Sequence, residues 1–161
     1  MSEIKTDTNG LNPNTETPLE LIQKTINDVE SILKNKYPDY LNFENGAFTI
    51  ARGSTQIMII VRPYTDNDTC IECTANVVYN TTITDELTKY LLRKNAELHF
   101  GAFGLLFDDT ITFSHSISGA NLDENELLNT LNAVATIADY YDDEIIRTYG
   151  GKRATDLDID L

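Results

Sequence analysis

The sequence predicts an α+β domain: an antiparallel five-stranded sheet packed with helices, in the order α-β-β-β-α-β-β-α. Three observations carry this. Apolar residues recur at helical spacing in three long segments, while five shorter segments show continuous or alternating apolar residues. The strand segments are linked mainly by short turns, as hairpins require and parallel crossovers do not. At 161 residues the chain makes one domain, and a chain of this size buries roughly 68–70% of its unfolded surface, enough for a core without staples.

Residues 1–16 are rich in Asn, Thr, Asp and Glu. They lack the apolar periodicity that offsets ordering entropy, so they are expected to be a disordered N-terminal arm. Thr17 then suits a helix N-cap, Pro18 the first helical position and Glu20 a capping box. Leu19, Ile22, Ile26, Val29 and Leu33 give that helix one buried stripe, ending near Tyr37-Pro38. Strands are expected at Ala47–Ala51 and Thr55–Val61 around the turn Arg52–Ser54. The second is apolar on both faces and therefore central. A third strand near Thr69–Tyr79 alternates Ile71, Cys73, Ala75 and Val77 with Glu72, Thr74 and Asn76, one face buried and the other solvated.

A second helix starts at a Thr84 cap, with Asp85 and Glu86 at its positive end and Leu87, Tyr90, Leu91 and Leu98 on its apolar side. Strands near Phe100–Phe107 and Thr110–Ser116 flank the turn Asp108-Asp109. A third helix runs from an Asp123 cap, with Glu126 three residues on, to about Thr148, and Gly150-Gly151 ends it. The single domain thus spans 17–151. The remaining residues, 152–161, alternate Asp with Leu or Ile and are expected to form an acidic tail with little to pack against.

Charge narrows the partners. Twenty-six acidic against twelve basic residues give a net charge of −14 and a pI near 4.3, so a phosphate backbone is repelled. No basic cluster exceeds Lys34/Lys36 or Lys152/Arg153, which argues against nucleic acid and for basic or amphipathic protein segments. The longest apolar run, Ile57–Val61, is far short of a membrane span. The opening MSEIKTDTNG has neither a basic start nor an apolar core, so the expected location is the cytoplasm.

Motifs that suggest chemistry have bland alternatives that suit their context better. Cys70-Ile-Glu-Cys73 has redox or zinc spacing, but it lies within a strand, where i and i+3 point to opposite faces. His115 sides with Ile111, Phe113 and Ile117 and shares no face with its neighbours Ser114 and Ser116, so no nucleophile–base pair is expected. Asp108-Asp109 and Tyr140–Glu144 have carboxylates for weak binding of a divalent cation, but a solvated turn and helix face suit them better. Gly101 and Gly104 lack the Lys or Ser/Thr of a phosphate loop and are expected to permit a bulge or the close approach of another backbone. No catalytic residue, metal ligand or cofactor is assigned.

The stretch LLRKNAELHFGAFGLLFDDTITFSHSI resembles the corresponding helix and hairpin of the YbjN-like family, which is akin in structure to the class I chaperones of type III secretion, the Tir-chaperone-like group. Leu92, Asn95, Gly101, Phe103, Phe113, His115 and Ser116 carry the resemblance. In wording and acidity the chain looks most like cyanobacterial members. The resemblance covers roughly Thr17 to Gly151 and implies a twisted antiparallel sheet backed by helices, a homodimer, and binding of protein segments without catalysis.

The expected function is therefore a non-enzymatic, dimeric protein-binding module, chaperone-like or adaptor-like. The alternative is a regulatory protein acting on a signalling or transcription complex. Phe100, Phe103 and Phe107, read as exposed aromatics, and Leu91 are the candidate partner-binding or dimer contacts.

Overall fold

The computed structural model describes residues 16–157, so residues 1–15 of the expected arm over 1–16 and the final residues 158–161 lie outside the described residues. Helix α1 (Leu19–Lys36) is followed by strands β1 (Leu41–Asn42), β2 (Ala47–Arg52), β3 (Thr55–Pro63) and β4 (Thr69–Val78) and helix α2 (Asp85–Glu97). Strands β5 (Ala102–Leu105) and β6 (Ile111–Ser118) and helix α3 (Glu124–Tyr149) complete the set, with a 3-10 turn at Ala154–Asp156. The sheet order is β1-β2-β3-β4-β6-β5, and every neighbouring pair is antiparallel.

The α+β class stands, but the sheet has six strands, not five. The addition is β1, whose two residues pair with Thr49 and Phe48 and are too few for a period of two to register. Glu44 and Asn45, both left-handed at φ 66° and 52°, turn the chain from it into β2.

Two of the three predicted helix caps form. Thr84 Oγ1 accepts the Leu87 N–H at 3.2 Å and Asp123 Oδ1 accepts the Glu126 N–H at 2.8 Å, each satisfying one of the orphan donors of a helix start. The expected capping box at Thr17 does not. Pro18 takes the cap position without a side-chain bond, and the Thr17 hydroxyl accepts the Tyr64 N–H at 2.8 Å. That hydroxyl therefore fastens the start of α1 to the end of β3.

Strand alternation creates two unlike faces. Phe48 and Ile50 of β2, Ile57, Ile59 and Val61 of β3, Ile71, Cys73 and Ala75 of β4 and Phe113 of β6 are all buried, and the register places them on one side. Val29 and Leu33 of α1 and Leu127, Leu131, Val134 and Ile145 of α3 close over this side. A buried contact at 2.8 Å between the Thr25 and Thr69 hydroxyls pins α1 to the start of β4. Burying side chains of this size contributes about 1.5–3 kcal/mol each, so this layer is the main source of stability.

The C-terminal segment corrects another expectation. Lys152 exchanges two 2.8 Å backbone bonds with Tyr79, just beyond β4, and Thr81 Oγ1 donates to the Gly150 carbonyl at 3.0 Å. Residues 152–157 thus fold back on the sheet and do pack against it.

Candidate functional site

The segment that follows α2 is built around Phe103. Its ring meets Phe113 and Tyr141 edge-on, with centroids 5.1 and 5.2 Å away, and it is only 7% exposed. Leu91 is buried as well. These two predicted contact residues are core, because the alternation of β5 and the inner stripe of α2 direct both side chains inward. Phe100, by contrast, is 57% exposed, and Phe107 stands fully exposed at the β5–β6 turn. The expected strand Phe100–Phe107 shortens to Ala102–Leu105, and neither end residue falls inside it: Gly101 at φ 72° turns the chain before β5, and Asp108 Oδ1 accepts the Thr110 N–H at 3.0 Å to close the turn after it.

Gly101 supports the close-approach reading. A Cβ there would stand 2.6 Å from the Ser114 carbonyl oxygen and 2.7 Å from the Phe113 ring, and its φ is left-handed. Gly104 meets only the Thr112 hydroxyl, at 3.0 Å.

His115 lies on the helix side of β6, edge-on to Phe100 at 5.7 Å. With Phe100, Ile117, Glu126, Asn129 and Thr130 it lines a cleft of about 210 Å³. Burial holds its pKa below the ordinary imidazole value, against the pull of Glu126. Ser114 and Ser116 pair with Thr74 and Glu72 on the opposite face, so the three residues form no catalytic set.

Cys73 is buried under the helices, where desolvation pushes its thiol up to about 12. Cys70 faces the other way, half-buried beside Ser116, with burial raising its pKa too. The strand geometry separates the pair as the spacing predicts.

The second face of the sheet is where the structure brings new residues together. Leu41, Thr49, Met58, Thr74, Ser114 and Ala102 form one cross-strand row, and Ala47, Ile60, Glu72 and Ser116 form the next. The hydroxyls of Thr49, Thr74, Ser114 and Ser116 alternate on this face with apolar residues, of which Leu41 and Met58 are about half exposed and Ile60 is partly so. Arg62 and Glu72 neutralise each other at 2.9 Å. A cleft of about 360 Å³ follows this face to the end of the sheet where β3 begins, lined by Thr49, Met58, Ile60, Thr74, Asp142 and Arg153 among others. The sequence carries one signal for it, the apolar residues on both sides of β3. We read that as burial of both faces, whereas among the described residues the helices cover only one.

Solved structures include one that shares this fold. A crystal structure of the ExsC–ExsE complex superposes with a TM-score of 0.59 over 76% of this chain and 94% of the other, at 16% identity. No curated protein matches at a significant level. The model of the family described as T3SS (YopN, CesT) and YbjN peptide-binding chaperone 1, TY-Chap1, matches residues 20–157. That span runs from the first turn of α1 to the folded-back C-terminal segment and includes every strand of the sheet. The chain therefore belongs to this peptide-binding chaperone family.

Proposed function

We propose that the protein is a homodimeric, chaperone-like module that binds a segment of a partner protein on the uncovered face of its sheet. The observation that carries this reading is Met58 and Leu41, exposed apolar residues at the middle and edge of one cross-strand row that also holds the hydroxyls of Thr49, Thr74 and Ser114. Apolar anchors within a polar surround are how protein surfaces hold a partner segment. The net charge of −14 speeds encounter with basic segments and adds less to final affinity. Dimerisation is supported by the exposed Leu92, Leu105, Leu106 and Phe107, on α2 and around β5 at the far edge from β1. A two-fold axis at this edge would bring the same apolar residues of two subunits together.

Light scattering is expected to give a dimer mass at micromolar concentration, and a Leu92→Glu, Phe107→Glu double variant a folded monomer. A monomer mass for the unaltered chain throughout that range removes the dimer. A peptide array then tests the binding face: Met58→Glu should lose the segments that the unaltered chain retains. Retention of all of them would move the binding surface elsewhere. Phe103→Ala is expected to cost about 3–5 kcal/mol of stability, with no specific effect on partner dissociation.

A further inference from the structure

Two buried side-chain oxygens in the cleft on the second face are without a hydrogen-bond partner among the described residues, Thr74 Oγ1 and Asp142 Oδ1. Asp142 is only 8% exposed, and its other oxygen accepts from Arg153 Nε at 3.2 Å. Arg153 is divided among further carboxylates. One terminal nitrogen meets Asp143 and the other lies 3.6 Å from Asp156. Asp139, whose Oδ1 accepts from Ser54 Oγ at 3.2 Å, adds its charge to that felt by Asp142. One guanidinium therefore serves three carboxylates at this end of the cleft, with the charge of a fourth, Asp139, beside them. At the other end Arg62 and Glu72 already cancel, and Met58 and Ile60 give the floor between an apolar surface.

A buried acceptor without a donor is costly, and a charged donor is the partner that gains most from it. Surplus negative charge beside it selects a cation over a neutral amide. We propose that this cleft takes a partner segment carrying an arginine or lysine, whose cation meets Asp142 Oδ1, next to an aliphatic side chain that lies on Met58 and Ile60. The inference rests on the reading of this face as the peptide-binding surface and adds the chemistry of the segment.

The probe is a capped octapeptide alternating leucine and arginine, with counterparts in which citrulline or glutamate replaces arginine. Met58 is one of only two methionines, so its labelled methyl group reports occupancy by NMR while backbone amides report the location. The arginine peptide is expected to shift the Met58 methyl and to bind about tenfold tighter than the citrulline peptide, the ratio for one charged hydrogen bond. The glutamate peptide should not bind. Asp142→Asn should bring the arginine and citrulline affinities within about twofold of each other, while Met58→Ala weakens both peptides alike. If Asp142→Asn does not fold, Asp139→Asn, at an exposed position, should narrow the ratio in part. Equal affinities for the arginine and citrulline peptides, or an unchanged ratio in the folded Asp variant, overturn the inference. Binding that shifts amides elsewhere and leaves Met58 unmoved overturns it together with this choice of face, and spares only peptide binding as such. No binding by any of the peptides counts against both.

Discussion

The side-chain amide of Asn95 holds both main-chain groups of Phe103: its Oδ1 accepts the Phe103 N–H at 2.7 Å and its Nδ2 donates to the Phe103 carbonyl at 3.1 Å. Because β5 is the last strand of the sheet, the carboxamide stands in for one residue of a further strand. It thereby blunts an edge that would otherwise invite another chain.

Asn95→Ala should therefore cost about 1–3 kcal/mol, since two main-chain groups lose their partner, and should raise aggregation by exposing that edge. Asn95→Asp, which keeps the acceptor and loses the donor, should recover part of the stability. Urea denaturation and light scattering measure the two effects. An unchanged midpoint for the alanine variant would show that water replaces the amide without loss.

Gly101 and Gly53 are both left-handed, at φ 72° and 60°, but nothing lies within 4 Å of a Cβ built at Gly53. Alanine at either position pays about 1–2 kcal/mol for the backbone conformation. Gly101→Ala should cost about 1–3 kcal/mol more, because the Ser114 carbonyl and the Phe113 ring must shift. Comparable melting temperatures for the two variants would mean that β5 moves away at little cost.

The two cysteines should differ in reactivity. With its thiol pushed up to about 12 and wholly buried, Cys73 has almost no thiolate at pH 8 and should label only on unfolding. Cys70 is half-exposed and should label in the native state, though slowly, because burial raises its pKa as well. Cys73→Ser should cost about 1–3 kcal/mol and Cys70→Ser less. Two equally fast thiols in the folded protein would contradict this placement.

Asp68 should make stability depend on acid. Burial raises its pKa, but bonds from the Ala120 N–H, the Ser118 hydroxyl and the Thr69 and Gly119 N–H groups outweigh burial and hold it below the ordinary 3.8. The unfolded chain thus takes up the proton first as pH falls. The stabilisation is complete well above 3.8 and disappears as pH drops through the lower folded value. Asp68→Asn should cost about 1–2 kcal/mol at pH 7, where a charged acceptor links β4 to the loop before α3. The difference should shrink toward pH 2. A gap that does not change with pH would assign the effect to shape and not charge.

Periodicity alone determined the three helices, five of the strands and the separation of Cys70 from Cys73. Side-chain direction is a local property of a helix or strand, and the Thr84 and Asp123 caps lie within three residues of the donors they satisfy. What only the tertiary structure decided are relations between distant segments. Thr17 bonds Tyr64 in place of its own helix, and Phe103 turns inward between Phe113 and Tyr141. Lys152 returns to Tyr79, which brings Arg153 to Asp142 at the end of the cleft. The physical reason is that an apolar run states that a residue is suited to burial, whereas which face is actually covered depends on where the helices dock. Met58 and Ile60 were legible as apolar, and their place on the open face belongs to the packing of all three helices on the other side.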